Sequence, residues 1–179
     1  MIDELERLDL AVYRAVERTR TPTIDAPLSL VSRIADHSKP WITVAALLFI
    51  FGERADRRAA VAGMVAVGID SAIVNLPLKL LGRRPRPERD DANGPSARHV
   101  PMPRSYSFPS GHAAAGFAFA GGVATSRPAL AWGLRGLATV VAYSRIHTGV
   151  HYPGDVLIGA LVGAATGELT GRLIGRLWR

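Results

Sequence analysis

Residues 59–82, AAVAGMVAVGIDSAIVNLPLKLLG, run for 24 residues with a single acid, Asp70. A hydrocarbon core of ~30 Å takes roughly 20 helical residues, so this stretch is long enough to cross a bilayer. Residues 128–147 (interrupted by Arg135) and 154–175 are of similar length, while 41–52 and 113–125 are apolar but short for spanning. The runs are apolar on all faces, which a soluble surface helix is not. They also carry small residues at four-residue and similar spacings, including Gly159, Gly163, Gly167 and Gly171. Such small-xxx-small faces let helices approach closely in lipid. A mean hydropathy of +0.15 is low for a polytopic protein and keeps a soluble all-α domain with an Ala/Gly core in view. The all-round apolar character decides for an all-α, integral-membrane bundle of about five to six helices.

The rest of the chain follows from that frame. Residues 3–18 form an amphipathic helix with Leu5, Leu8, Val12 and Val16 on one stripe, and 24–37 form a short second helix carrying Arg33 and Asp36. Five apolar helices are expected at 40–52, 57–82, 110–125, 128–147 and 153–176. At 179 residues this is one domain, with 1–38 interfacial and 39–179 the bundle. A Pro-rich stretch of more than 20 residues without periodicity joins helices 57–82 and 110–125, and loops that long are usually functional or disordered. The net charge of +7 is almost entirely arginine, with Lys39 and Lys79 the only lysines. No aromatic interleaving or nucleic-acid module accompanies it, so anionic lipid or phosphate is the expected partner class and nucleic acid is not. The absence of cysteine excludes disulfides and thiolate chemistry. MIDELERLDL has no basic segment followed by an apolar one, so no cleavable signal is expected.

Helix directions gather the polar residues. Helix 57–82 ends beside Lys79 and Arg86, and helix 110–125 begins beside Ser110, Gly111 and His112. Helix 128–147 ends at Ser144 and Arg145, and helix 153–176 begins just after His151, with Asp155 in its first turn. In an up-and-down bundle these ends lie on one membrane face. Such a set suits phosphoryl transfer. Guanidinium forks bind phosphate oxygens bidentately and lysine adds a point charge. Ser110 and the Gly111 N–H form an anion site at a helix start, although as a bare helix start Ser110 would simply cap it. Pro85 should end the helix and swing Arg86 into the loop. Asp155 can accept from one nitrogen of His151, leaving the other as nucleophile, and His112 can protonate the leaving oxygen. His37, His99 and His147 read as loop or interface residues. Asp70 and Asn75 need partners within their apolar helix, and Glu168 can pair with Arg172.

KLLGRRPRP (79–87), PSGH (109–112) and SRIHTGVHYPGD (144–155) together resemble the three signatures of the type 2 phosphatidic acid phosphatase superfamily. Its pattern is Lys-x6-Arg-Pro, Pro-Ser-Gly-His and Ser-Arg-x5-His-x3-Asp, and every fixed position is filled. The resemblance implies phosphate binding by Lys79, Arg86, Ser110, Gly111 and Arg145, an acid at His112, and a phosphohistidine at His151 assisted by Asp155. It implies no metal and no cofactor. It further implies a bacterial cell-membrane enzyme acting on a phosphorylated lipid. The leading substrates are polyprenyl-linked: undecaprenyl or decaprenyl diphosphate, or decaprenylphosphoryl-5-phosphoribose. Phosphatidylglycerophosphate and phosphatidic acid are the alternatives. The superfamily's haloperoxidases and secreted acid phosphatases suit this small, apolar chain less well. A lipid carrier or flippase would not need both histidines and the aspartate.

Relatives often carry another spanning helix near the N-terminus, whereas helix 24–37 is short and charged. If it does not span, the N-terminus lies on the active-site side. That side then holds Arg7, Arg14, Arg18, Arg20, Arg83, Arg84, Arg89, Arg98 and Arg104, against Arg54, Arg57, Arg58, Arg127, Arg172, Arg176 and Arg179 opposite. The positive-inside rule then points to a cytoplasmic active site. The oligomeric state is left open.

Overall fold

A computed structural model describes residues 2–89 and 98–178, and among these every regular element is helical. The order is α1 (Ile2–Arg18), α2 (Pro22–Ile34), a 3-10 turn at Asp36–Ser38, α3 (Lys39–Phe51), α4 (Arg54–Gly82), α5 (Gly111–Ala124), α6 (Pro128–His147) and α7 (Pro153–Leu177). These boundaries match the sequence expectation to within a few residues. Proline opens α2, α6 and α7, where its missing N–H costs nothing. Pro77 lies inside α4, and there the helix widens into a π turn over Val74–Leu78 before closing at Gly82.

A short apolar helix, α5, is the centre of the bundle. α5 is buried at ten of its 14 positions and packs against α7, α4 and α6. Its neighbours come close because α7 presents a glycine stripe to it. A Cβ at Gly163 or Gly167 would collide with the carbonyl oxygens of Ala114 or Ala118, and one at Gly159 would lie 2.5 Å from that of Ser110. Trp41 of α3 and Phe119 of α5 pack with ring centroids 5.8 Å apart and are buried. Outward positions such as Ile50, Phe51, Leu81 and Trp132 are exposed apolar groups, as a lipid-facing surface requires.

Two helices, α4 and α7, are long and apolar enough to cross a membrane. α2 and α3 pass the same test only together, bent by 65° at their junction. Both ends of α2 are tied to the same end of the bundle. Asp25 near its start bonds His147 at the end of α6, and Asp36 just beyond it bonds His112 at the start of α5. Both ends of α2 therefore lie at that face of the bundle. Arg98 staples the layer together by bonding the carbonyls of Val16, Glu17 and Thr19 and the side chains of Thr21 and Asp25. His147, read from sequence as a bland interface residue, is buried and holds α6 to α2. Glu168 does pair with Arg172, at 3.1 Å. Asp70 departs from expectation, because its buried Oδ1 has no hydrogen-bond partner among the described residues.

Candidate active site

The four helix ends converge on one cavity of about 360 Å³, lined by Lys79, Arg86, Gly111, His112, Arg145 and His151 among others. Each residue arrives for a local reason. Lys79 sits in the last turn of α4, beyond the π turn. The helix stops at Gly82, Arg83 turns left-handed with φ 38°, and Arg86 projects from the following loop, as Pro85 demanded. Gly111 and His112 open α5 and Arg145 lies in the last turn of α6. His151 precedes α7, and Asp155 in that helix's first turn accepts the Tyr152 N–H at 3.0 Å.

Ser105 organises the cations. Its Oγ lies 3.2 Å from both Lys79 Nζ and Arg86 Nη2, and its carbonyl accepts from Arg86 Nε at 2.8 Å. Arg86 Nη1 is fixed by the Val150 carbonyl at 2.7 Å. Arg145, buried inside the bundle, donates from Nη1 to the Ser32 carbonyl and hydroxyl, at 3.1 and 2.6 Å. Among the described residues its Nε has no partner, and neither has the buried Ser110 Oγ. Ser110 is therefore not a side-chain cap: its N–H donates to the Asp155 carbonyl at 2.9 Å and its hydroxyl is left unused. Buried polar atoms without partners are rare in folded proteins. Three cations and the open N–H groups of the first turn of α5 give this cavity the donor set that an anion takes.

The hydrogen bonds around His151 select its tautomer. Ser107 gives its one hydroxyl proton to Asp155 Oδ2, so toward His151 Nδ1, 3.4 Å away, its oxygen can only accept. Nδ1 must then carry the proton. On the other side of the ring, Arg86 Nη1 lies 3.2 Å from Nε2 and is a donor, so Nε2 holds the lone pair. Burial pulls the His151 pKa down to about 4, with the Arg86 and Arg145 charges adding to the effect against the attraction of Asp155. The ring is accordingly neutral near pH 7, its free nitrogen beside the cations. Burial also lowers Arg86, against the pull of Asp155.

His112 lines the same cavity and places Nε2 3.0 Å from Asp36 Oδ1. Asp36, in turn, is 3.9 Å from Arg145 Nη1. Six of the eight residues marked in the sequence line this cavity; Ser110 and Asp155 do not line it, and are joined to each other by the Ser110 N–H and the Asp155 carbonyl. The sequence reading missed Ser105, Ser107 and Asp36. Two are hydroxyls in an aperiodic loop and the third is a charge at a helix end, and no spacing distinguished them.

Known proteins resemble this chain over most of its length. The sequence profile described as the PAP2 superfamily matches residues 59–179. A decaprenylphosphoryl-5-phosphoribose phosphatase of Mycobacterium tuberculosis is 35% identical over 166 residues, covering 89% of this chain and 86% of that protein. An undecaprenyl-diphosphatase of Sulfolobus acidocaldarius is 27% identical over 154 residues, covering 86% and 72%. The crystal structure of Aquifex aeolicus LpxE superposes with a TM-score of 0.76 at 26% identity, covering 92% of this chain and 95% of that one. A transmembrane PAP2-type phosphatidylglycerolphosphate phosphatase from Bacillus subtilis shares the fold, with a TM-score of 0.72 at 22% identity over 97% of this chain and 87% of its own. With a profile match across most of its length and a 35% identical relative, the chain belongs to the PAP2 superfamily, as an all-α membrane protein and phosphoric-ester hydrolase.

Proposed function

We propose that the protein removes a phosphate group from a polyprenyl-linked lipid through a phosphohistidine at His151. The observation that carries this reading is the tautomer of His151, whose unprotonated Nε2 lies 3.2 Å from Arg86 Nη1 in the cationic cavity. Lys79, Arg86 and Arg145, with Ser110 Oγ and the N–H of Gly111, hold the phosphate oxygens and offset the charge that builds on them in the transition state. His151 Nε2 attacks phosphorus and the bond from phosphorus to the lipid oxygen breaks. That oxygen takes a proton from His112. Burial and the Arg145 charge pull the His112 pKa down, so its protonated form depends on Asp36 and on the negative charge of the bound phosphate. Asp155 stabilises the ring through the Nδ1 proton as the ring becomes cationic. Water then attacks the phosphohistidine and gives a proton back to His112, and the P–N bond breaks to release inorganic phosphate. No step is assigned to a metal ion.

The polyprenyl class is supported by the 35% identity to the decaprenylphosphoryl-5-phosphoribose phosphatase and by the undecaprenyl-diphosphatase match. The test is phosphate release by purified protein in detergent with EDTA present. The panel holds a decaprenyl phosphoribose phosphate, undecaprenyl diphosphate, phosphatidylglycerophosphate and phosphatidic acid. Release from a prenyl substrate at least about tenfold faster than from the glycerolipids is the expected result; the reverse order, or loss of activity in EDTA, refutes the reading.

The protein is further assigned to the bacterial cell membrane with its active site on the cytoplasmic side. The support is the arginine excess on the face where α1 and the ends of α2 lie; Arg179, counted opposite, is outside the described residues. Because the chain has no cysteine, Arg20→Cys supplies a unique label site. In intact cells an impermeant maleimide should leave it unlabelled until the membrane is opened, and immediate labelling would reverse the orientation.

A further inference from the structure

Behind Asp155, on the side away from the cavity, a second set of charges connects the catalytic corner to α1. Asp9 lies on α1 and accepts the Gly154 N–H with Oδ1 at 2.7 Å, at the start of α7. Its Oδ2 is 2.7 Å from Arg84 Nη1, and the same Nη1 atom is 3.0 Å from Asp155 Oδ1. The Arg84 guanidinium stacks on the Tyr152 ring at 4.0 Å, and that ring meets Tyr13 of α1 edge-on at 5.4 Å. The Asp155 side chain is fully enclosed, and a buried carboxylate without a counter-charge is expensive. Among the described residues Arg84 is the cation that contacts it, and Arg84 does not line the phosphate cavity.

We propose that Arg84 and Asp9 are positioning residues for phosphoryl transfer, a relay by which the amphipathic helix α1 holds Asp155 in place behind His151. The proposal rests on the reading of His151 as nucleophile. Arg84 takes Oδ1, which turns Oδ2 and the Ser107 hydroxyl bonded to it toward His151 Nδ1. Asp9 does two things. It fixes Arg84, and it shares the guanidinium charge, so that Asp155 keeps more of its own negative charge for the imidazolium formed on phosphorylation. Burial disfavours the charged form of Arg84, and the hydrogen bonds and charges of Asp9 and Asp155 outweigh that, raising its pKa. Partners that orient the ligands of metal sites are typically worth about 10–100-fold, and the same scale is taken for this carboxylate behind a reacting histidine.

The experiment is steady-state kinetics of Arg84→Gln, Arg84→Lys and Asp9→Asn on the best prenyl substrate, with inorganic phosphate as a competing ligand. Arg84→Gln should lower kcat about 30-fold, while KM and the phosphate concentration for half-inhibition stay within about threefold, because the cradle is untouched. Since a single nitrogen bridges both carboxylates, the one ammonium of Arg84→Lys should restore kcat to within about fivefold of the parent. Asp9→Asn should lower kcat about fivefold, and adding it to Arg84→Gln should cost little more, because both act through one contact.

A rise in KM and in the phosphate constant at unchanged kcat would overturn the relay and make Arg84 a phosphate ligand. Equal losses in Arg84→Lys and Arg84→Gln, or losses accompanied by reduced helicity and aggregation, would overturn it in favour of a packing role. No phosphate release by the wild-type protein would instead defeat the His151 reading on which the relay stands.

Discussion

Replacing His151 with alanine is expected to lower phosphate release by roughly 10⁴–10⁶-fold, the loss typical of removing a covalent nucleophile. Nε2 is the atom proposed to bond phosphorus: it is the unprotonated nitrogen of a buried ring with Asp155 behind it, whereas His112 in the same cavity faces Asp36. The fold should survive the change. Arg86 Nη1 keeps the Val150 carbonyl, and the Ser107–Asp155 bond is independent of the ring. The variant should therefore elute as the parent does in detergent and show the same helicity. Inorganic phosphate should still protect it against thermal unfolding, because the cationic cradle remains. Turnover within tenfold of the parent would remove His151 as nucleophile and leave the attack on phosphorus to water or another group.

Asp155→Asn should cost roughly 10³–10⁴-fold in kcat, the scale set by enzymes in which an amide replaces the carboxylate behind a catalytic histidine. Four groups surround the two oxygens: Arg84 Nη1 at Oδ1, and the Ser107 hydroxyl, the Tyr152 N–H and His151 Nδ1 around Oδ2. An asparagine amide has one oxygen, so either orientation turns an NH2 toward a donor. With NH2 at the Oδ1 position it faces Arg84. At the Oδ2 position it faces the Tyr152 N–H and favours the His151 tautomer with the proton on Nε2, which has no lone pair for phosphorus. A pre-steady-state measurement should show slow formation of the phosphoenzyme with phosphate binding retained. Fast formation with slow hydrolysis would place Asp155 in the second half-reaction only.

Legibility differed by residue, and for physical reasons. Lys79, Arg86, His112, Arg145, His151 and Asp155 were readable because each lies at or next to a helix end, and helix direction is dictated by apolar runs that alternate across a bilayer. The glycine stripe of α7 was equally readable, since close approach admits no side chain. Ser105, Ser107 and Asp36 act through contacts made across loops and bends, to which periodicity is blind. The sequence reading assigned phosphate binding to Ser110 and the Gly111 N–H without distinguishing the atoms of Ser110. In the structure the Ser110 N–H is spent on Asp155, and its hydroxyl is the group without a partner among the described residues.

Sequence by itself determined the all-helical membrane architecture, the near-final helix boundaries and the convergence of three motifs on one face, because these depend on local composition and chain direction. Tertiary structure decided which nitrogen of His151 is free, that α5 is the core helix despite its length, and that both ends of α2 lie at the active-site face. It also decided that α1 reaches Asp155 through Asp9 and Arg84. Each of these depends on a hydrogen bond or packing contact between residues distant in the chain, and such a contact is set only when the helices meet.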